Sequence, residues 1–213
     1  MLSNIQRKQT NKLFEINKKM GKLKFTEILE EFNACKDKEE MSSWAKNKTW
    51  QEFYNNCPKG QWFLRLFKRT NPDNLKKLTL AKGHCAATIL SHMKDERSKK
   101  AVEVAIKFGN DEATIVELND AYIDADEAAD ETFTHWKTFD NPKDVDSKNA
   151  IKARIDYNSA AAAANAVSVG DFGVAAIAAA AHALTDFTAI FKNENLTAVK
   201  CREYLPIEIW NII

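Results

Sequence analysis

Glycine and proline are scarce in this chain, whose 213 residues include only 6 glycines and 4 prolines. An all-β fold of this length needs many tight turns, and these two residues supply most of the required backbone conformations. Their scarcity therefore weighs against an all-β fold. Long apolar runs are also missing, because the longest, Gly173 to Leu184, is mostly alanine. It is shorter than the roughly 20 apolar residues that span a bilayer, so the sequence predicts no membrane partner.

Cysteine is as rare as proline, and the spacing of the four cysteines fits no metal-ligand motif. They are Cys35, Cys57, Cys85 and Cys201. The N-terminal residues carry no apolar core of a secretion signal. We therefore expect a cytoplasmic protein with reduced, buried thiols, and we predict neither a metal nor a cofactor.

Positive and negative charges nearly balance in this chain, whose formal net charge is +1. Proteins that bind nucleic acid usually carry a clear basic excess or stripe, so a nucleic-acid partner is not expected. The basic residues that do cluster lie near the N-terminus. The sequence therefore predicts a basic helix or arm over residues 1–24 and a single domain over 25–213.

What the chain does contain is a succession of apolar residues at helical spacing, which predicts an all-α fold of nine or ten helices. Helix starts are predicted at Thr26 and at three capping boxes, which begin at Asp37, Thr49 and Thr114. Further starts are predicted at two prolines taken as first helical residues, Pro58 and Pro72. The helix that begins at Pro72 is expected to carry apolar residues from Leu75 to Met93; a later helix should run from Ile115 to Phe139, and the last from Thr197 to Tyr204.

Two alanine-rich helices are predicted in the C-terminal half, over residues 147–168 and 171–191. Alanine has the highest helix propensity and almost no side-chain bulk. Helices of this kind can approach their neighbours closely, and the neighbours must supply the large side chains. We expect the tryptophan and phenylalanine residues of the first half to pack against them.

One acidic segment stands out between Asp111 and Glu131, because it holds nine carboxylates and no lysine or arginine. On a helix, Asp120, Asp124, Glu127, Glu131 and His135 fall near one another, and like charges at that spacing are destabilising. Three interpretations remain open: a solvated face, a surface for a basic partner, or a metal site completed by the histidine.

No catalytic motif is present, since the chain lacks a P-loop, GxGxxG, GxSxG and HExxH. Cys57 could be reactive if it lay at a helix N-terminus, where the pKa of a thiol is lowered. It has no recognisable basic partner in the sequence, and Pro58, Gly60 and Trp62 beside it are typical of a helix start and a core anchor. We therefore predict that the protein is not an enzyme and that this motif is structural.

A set of ordered motifs resembles a known family. They are Thr49-Trp50-Gln51-Glu52, Cys57-Pro58-Lys59-Gly60-Gln61-Trp62, His84-Cys85-Ala86-Ala87 and Cys201-Arg202-Glu203-Tyr204-Leu205-Pro206. The stretch from Asn33 to Pro206 is similar to the immunity proteins encoded beside bacterial polymorphic-toxin genes, with a helical domain like that of immunity protein five. Lys59 and Gln61 stand where that family usually has arginine and aspartate.

The resemblance implies a protein that binds a cognate toxin stoichiometrically and occludes its active surface. We expect the toxin to be basic, and the partner surface to include Asp120, Asp124, Glu127 and Glu131. The alternative is a small helical metal-binding protein or enzyme that uses the acidic helix from Asp124 to His135. The sequence leaves the oligomeric state open.

Overall fold

The computed structural model describes residues 23–33, 39–139, 147–169 and 190–212. Within these ranges the chain forms nine α-helices and no β-strand, which confirms the all-α prediction. The helices are α1 (Phe25–Asn33), α2 (Glu39–Ala45), α3 (Trp50–Asn56), α4 (Gly60–Thr70), α5 (Leu75–Ala87), α6 (Glu96–Gly109), α7 (Ile115–Lys137), α8 (Lys148–Val167) and α9 (Ile190–Tyr204). The predicted arm up to residue 22, the capping box at Asp37 and the alanine-rich stretch over 171–189 lie outside the described residues.

Local capping signals place several helix starts correctly. Thr49 and Thr114 each form a complete capping box, in which the hydroxyl accepts the N3 backbone N–H and the N3 glutamate accepts the cap N–H. Ser147 caps the alanine-rich helix α8 as predicted. The predicted start at Thr26 is wrong by a small margin, because α1 already begins at Phe25.

The prediction that prolines occupy first helical positions is wrong at both sites. Cys57 is the C-cap of α3, with its N–H bonded to the Phe53 carbonyl and an extended ψ of 122°. A residue before proline is pushed out of the helical region, so residues 57–59 form a connector and α4 begins at Gly60. After Pro72, the cap comes instead from Asn74, whose side chain accepts the Lys77 N–H.

Three helix ends also differ from the prediction. α5 stops at Ala87 rather than Met93, because the Thr88 N–H and hydroxyl both donate to the Cys85 carbonyl and tighten the chain. A short 3₁₀ turn, Leu90–His92, follows. α7 ends at Lys137, and α9 begins at Ile190 rather than Thr197.

The large aromatic residues cluster within the same buried core that contains Ala162, Ala163 and Ala164 of α8, while the second predicted alanine-rich helix lies outside the described residues. Trp210, near the C-terminus, lies at the centre, with its ring centroid 4.9 Å from Trp50 and 5.0 Å from Phe67. Backbone and amide hydrogen bonds fix this end of the chain. Leu23 N–H donates to the Asn211 carbonyl, and the Asn71 amide donates to Ile209.

Helices α7 and α8 meet through small side chains, and their mutual contact is the most extensive between any two described helices. The buried residues of α7 are Leu118, Ala121, Ala125, Ala128 and Ala129. Those of α8 are mostly alanines, including Ala160 and Ala161, which cluster with Ala129. α6 packs against both helices. This three-helix arrangement fixes the position of the acidic helix α7.

No helix among the described residues is long and apolar enough to cross a membrane.

Truncation of the core aromatic Trp62 tests the predicted packing of α4. Trp62 is buried at 6% exposure and its ring centroid lies 5.6 Å from that of Trp44. We expect Trp62→Ala to reduce the free energy of unfolding by about 3–5 kcal/mol, as large aromatic truncations in cores do. Urea unfolding measures this, with the exposed Gln51→Ala as control. A midpoint for Trp62→Ala equal to that of the control would contradict the packing described here.

Candidate functional site: the acidic helix α7

The Cys57 motif has the properties of a packing element. Cys57 is fully buried, its thiol donates to the Lys59 carbonyl at 3.5 Å, and burial raises its pKa to about 12. A thiol with that pKa stays protonated at neutral pH, which disfavours nucleophilic chemistry. Gly60 lies so close to α9 that an added Cβ would come within 2.8 Å of the Thr197 carbonyl carbon. The motif thus brings α4 and α9 into close contact.

The carboxylates of α7 divide into two rows, and the first row faces α6. Arg97 of α6 forms two hydrogen bonds with Glu131, at 2.6 and 3.1 Å, and lies 3.9 Å from Glu127. Lys100 lies 3.7 Å from Asp124. The hydrogen bonds from Arg97 lower the pKa of Glu131. Three of the four carboxylates predicted as a partner surface are therefore offset by cations within the chain.

The N-terminal cap residue of α6, Asp95, orients the guanidinium of Arg97. Asp95 caps the helix and also accepts hydrogen bonds from the Arg97 guanidinium, the shortest at 2.8 Å. Arg97 thereby bridges Asp95 and Glu131 across the two helices. Glu127 and Glu131 are exposed as the sequence predicted, while Asp124 is partly covered.

The second row, formed by Asp126 and Asp130, has no such partners in the described part of the chain, and neither has Asp120 of the first row. Asp120, Asp126 and Asp130 are exposed, and none of them forms an ion pair with the residues that the structure describes. Asp126 and Asp130 lie toward α8, where they line a cleft beside Phe133 and Tyr157. The uncompensated negative charge of α7 is thus concentrated away from α6.

Helix α7 also exposes large apolar side chains, which its helical periodicity did not predict. They are Ile115 (45% exposed), Val116 (63%), Tyr122 (37%), Ile123 (55%) and Phe133 (37%). These are five of the nine large apolar residues that are exposed in the described part of the chain. Ordinary surface helices bury such residues and expose polar ones. Several large apolar side chains exposed on one helix are typical of a protein contact surface.

The metal alternative finds no support in the donor geometry. His135 is exposed at the C-terminal end of α7, with its ring beside Phe139. Across the described residues, which include all of Asp124 to His135, no three histidine, cysteine or acidic side chains come together as metal ligands could.

Comparisons with protein-family models, with curated proteins and with solved structures find no match for this chain.

Thiol labelling tests the burial of the motif. Cys57, Cys85 and Cys201 are each fully buried. In a Cys35→Ser background we expect these three thiols to react slowly with a soluble thiol reagent in the native protein and rapidly in denaturant. Mass spectrometry of peptides over time measures both rates. Fast native labelling of Cys57 would revive the reactive-cysteine interpretation.

Charge reversal on α7 tests the difference between its paired and its unpaired carboxylates. Reversing Asp124, Glu127 and Glu131 to lysine places three cations against Arg97 and Lys100, so we expect a lower melting temperature with the helical fold retained. Reversing Asp120, Asp126 and Asp130 makes the same change in net charge without opposing a cation of α6. We expect that control to keep the melting temperature of the unmodified protein in circular dichroism. Equal melting temperatures for the two variants would refute the assigned pairing.

Proposed function

We propose that this chain is an immunity protein that neutralises a basic toxin by binding it stoichiometrically through the outer face of α7. That face is defined by Val116, Asp120, Ile123, Asp126 and Asp130. The supporting observation is the combination of exposed apolar side chains with uncompensated carboxylates on one helix. The resemblance of the sequence motifs to toxin-immunity proteins supplies the class of partner.

Each component of this face has a distinct role in binding. Burial of the apolar side chains provides affinity, because removal of apolar surface from water contributes about 25 cal/mol per Å² before the costs of association. The carboxylates attract a basic partner over distance and raise the association rate. Carboxylates already paired with Arg97 and Lys100 contribute less to that attraction.

The size of the helix is adequate for a protein interface. α7 has 23 residues, which corresponds to a length of about 34 Å at 1.5 Å per residue. Specific interfaces of standard size bury about 800 Å² on each partner. A helix of this length, with the adjoining surface of α8, provides an area of that order.

Removal of the apolar side chains tests the proposal in cells and in solution. The toxin to use is the one encoded by the gene beside this one. We expect the chain to protect cells that express it, and Val116→Ser with Ile123→Ser to weaken binding at least about tenfold, as the loss of interface anchors does. The matched control is Leu196→Ser with Val199→Ser, which removes two exposed apolar side chains from α9.

Calorimetric titration of purified toxin measures the affinities and the stoichiometry. We expect a one-to-one complex and an unchanged affinity for the α9 control. Failure of the unmodified chain to bind or protect against the neighbouring toxin would overturn the proposed function. An equal loss of affinity in the α7 variant and in the α9 control would mean that α7 is not the specific binding surface.

A further inference from the structure

The cleft between α7 and α8 has a composition suited to one kind of ligand group. Its volume is about 260 Å³, and alanines of the two helices form its floor. Asp126 and Asp130 stand on the α7 side, Asn165 on the α8 side, and Phe133 and Tyr157 at one end. This cleft lies on the side of the α7–α8 contact where the carboxylates are uncompensated.

The cleft is lined by hydrogen-bond acceptors, and a further acceptor without a partner among the described residues is buried in its wall. Asn165 donates its Nδ2 hydrogen to the Ala161 carbonyl at 2.8 Å, and its buried Oδ1 has no hydrogen-bond partner in the described structure. The carboxylates of Asp126 and Asp130 add further acceptors and two negative charges. A buried polar atom without a partner is costly, so a ligand that donates hydrogen bonds would be favoured here. The ligand group should also be cationic.

The aromatic end of the cleft favours the same chemistry. The Phe133 and Tyr157 ring centroids are 5.2 Å apart, and Tyr157 stacks on Trp136 at 5.5 Å with an interplanar angle of 7°. Aromatic faces attract cations through their quadrupoles. Lys137 already lies 5.5 Å from the Phe133 ring centroid, on the same helix. The rings therefore form a platform for a second cation that enters beside the carboxylates.

The volume of the cleft and the hydrogen-bond donors that its acceptors require favour arginine over other cationic groups. Small-molecule sites usually measure about 300–1,000 Å³, so this cleft is better matched to a single side chain. Arginine has a planar guanidinium with five donors, which can bond several acceptors and stack on an aromatic ring at once. Lysine has a compact ammonium that does not stack in this way.

We propose that the α7–α8 cleft binds an arginine side chain of the protein partner. This inference rests on the proposed function and specifies the chemistry of its contact: the arginine would anchor the partner beside the apolar face of α7. Its guanidinium would donate to Asp126 and Asp130 while lying against Tyr157 or Phe133.

A side-chain probe tests the cleft without the toxin. N-acetyl-arginine methylamide is titrated into the full, ¹⁵N-labelled chain, and the signals of the Asn165 side-chain amide and the Trp136 indole are followed by NMR. We expect saturable shifts with a dissociation constant on the order of millimolar. The citrulline analogue, which has the same shape without the charge, should produce no saturable shift. The lysine analogue should bind more weakly than the arginine probe.

Matched variants locate the site. Asp126→Asn with Asp130→Asn should weaken binding of the arginine probe by about tenfold or more, because hydrogen bonds to charged groups are the stronger ones. Asp73→Asn with Glu112→Gln removes the same charge from exposed positions outside the cleft and outside the binding face of α7, and it should leave the affinity unchanged.

The outcomes separate this inference from the function on which it rests. No binding of the arginine probe at tens of millimolar, equal binding of the citrulline analogue, or full affinity in Asp126→Asn with Asp130→Asn would each overturn the arginine site. If the chain still protects against the toxin in that case, only the arginine site is wrong. If the unmodified chain fails to protect, the proposed function is wrong, whatever the probe does.

Discussion

The close contact of α7 with α8 through alanine is the constraint on which the rest of the candidate site depends. Because the facing surfaces are built from residues such as Ala125, Ala129, Ala160 and Ala161, the two backbones can approach without interposed bulk. Apart from Leu118, the buried residues of α7 are all alanines. Val116, Ile123 and Phe133 consequently lie on the outside, and a helix held by its alanines presents its bulky apolar residues to solvent.

The second determinant is the set of cations that α6 directs at one row of carboxylates. Arg97, held by its own helix cap Asp95, pairs with Glu131, and Lys100 lies beside Asp124. This pairing relieves the repulsion between like charges on α7 and leaves the opposite row uncompensated. Apolar and acidic surface therefore adjoin on the side of α7 that points away from α6. That side also contains the cleft that we assign to a partner's arginine.

The sequence predicted what depends on neighbouring residues along the chain and missed what depends on distant ones. Capping boxes at Thr49 and Thr114 were found because both partners lie three residues apart. The pairing of Arg97 with Glu131 joins residues 34 apart and has no local signal. The exposed apolar side chains of α7 were not predicted, because prediction from helical periodicity assigns large apolar residues to the buried face of a helix. The predicted helix starts at Pro58 and Pro72 were wrong because the sequence does not distinguish a proline in a connector from a proline in a first helical turn.

Hydroxyl-radical footprinting of the complex with the neighbouring gene's toxin shows directly whether the toxin covers the outer face of α7. The method reports side-chain accessibility residue by residue, so it locates the contact without any substitution. We expect oxidation of Val116 and Ile123 on the outer face of α7, and of Phe133 in the adjoining cleft, to fall sharply when the toxin is added, while oxidation of Leu196 and Val199 on α9 stays constant. Unchanged oxidation of the α7 residues in a complex that demonstrably forms would contradict the proposed function of α7, because the toxin would then bind another surface.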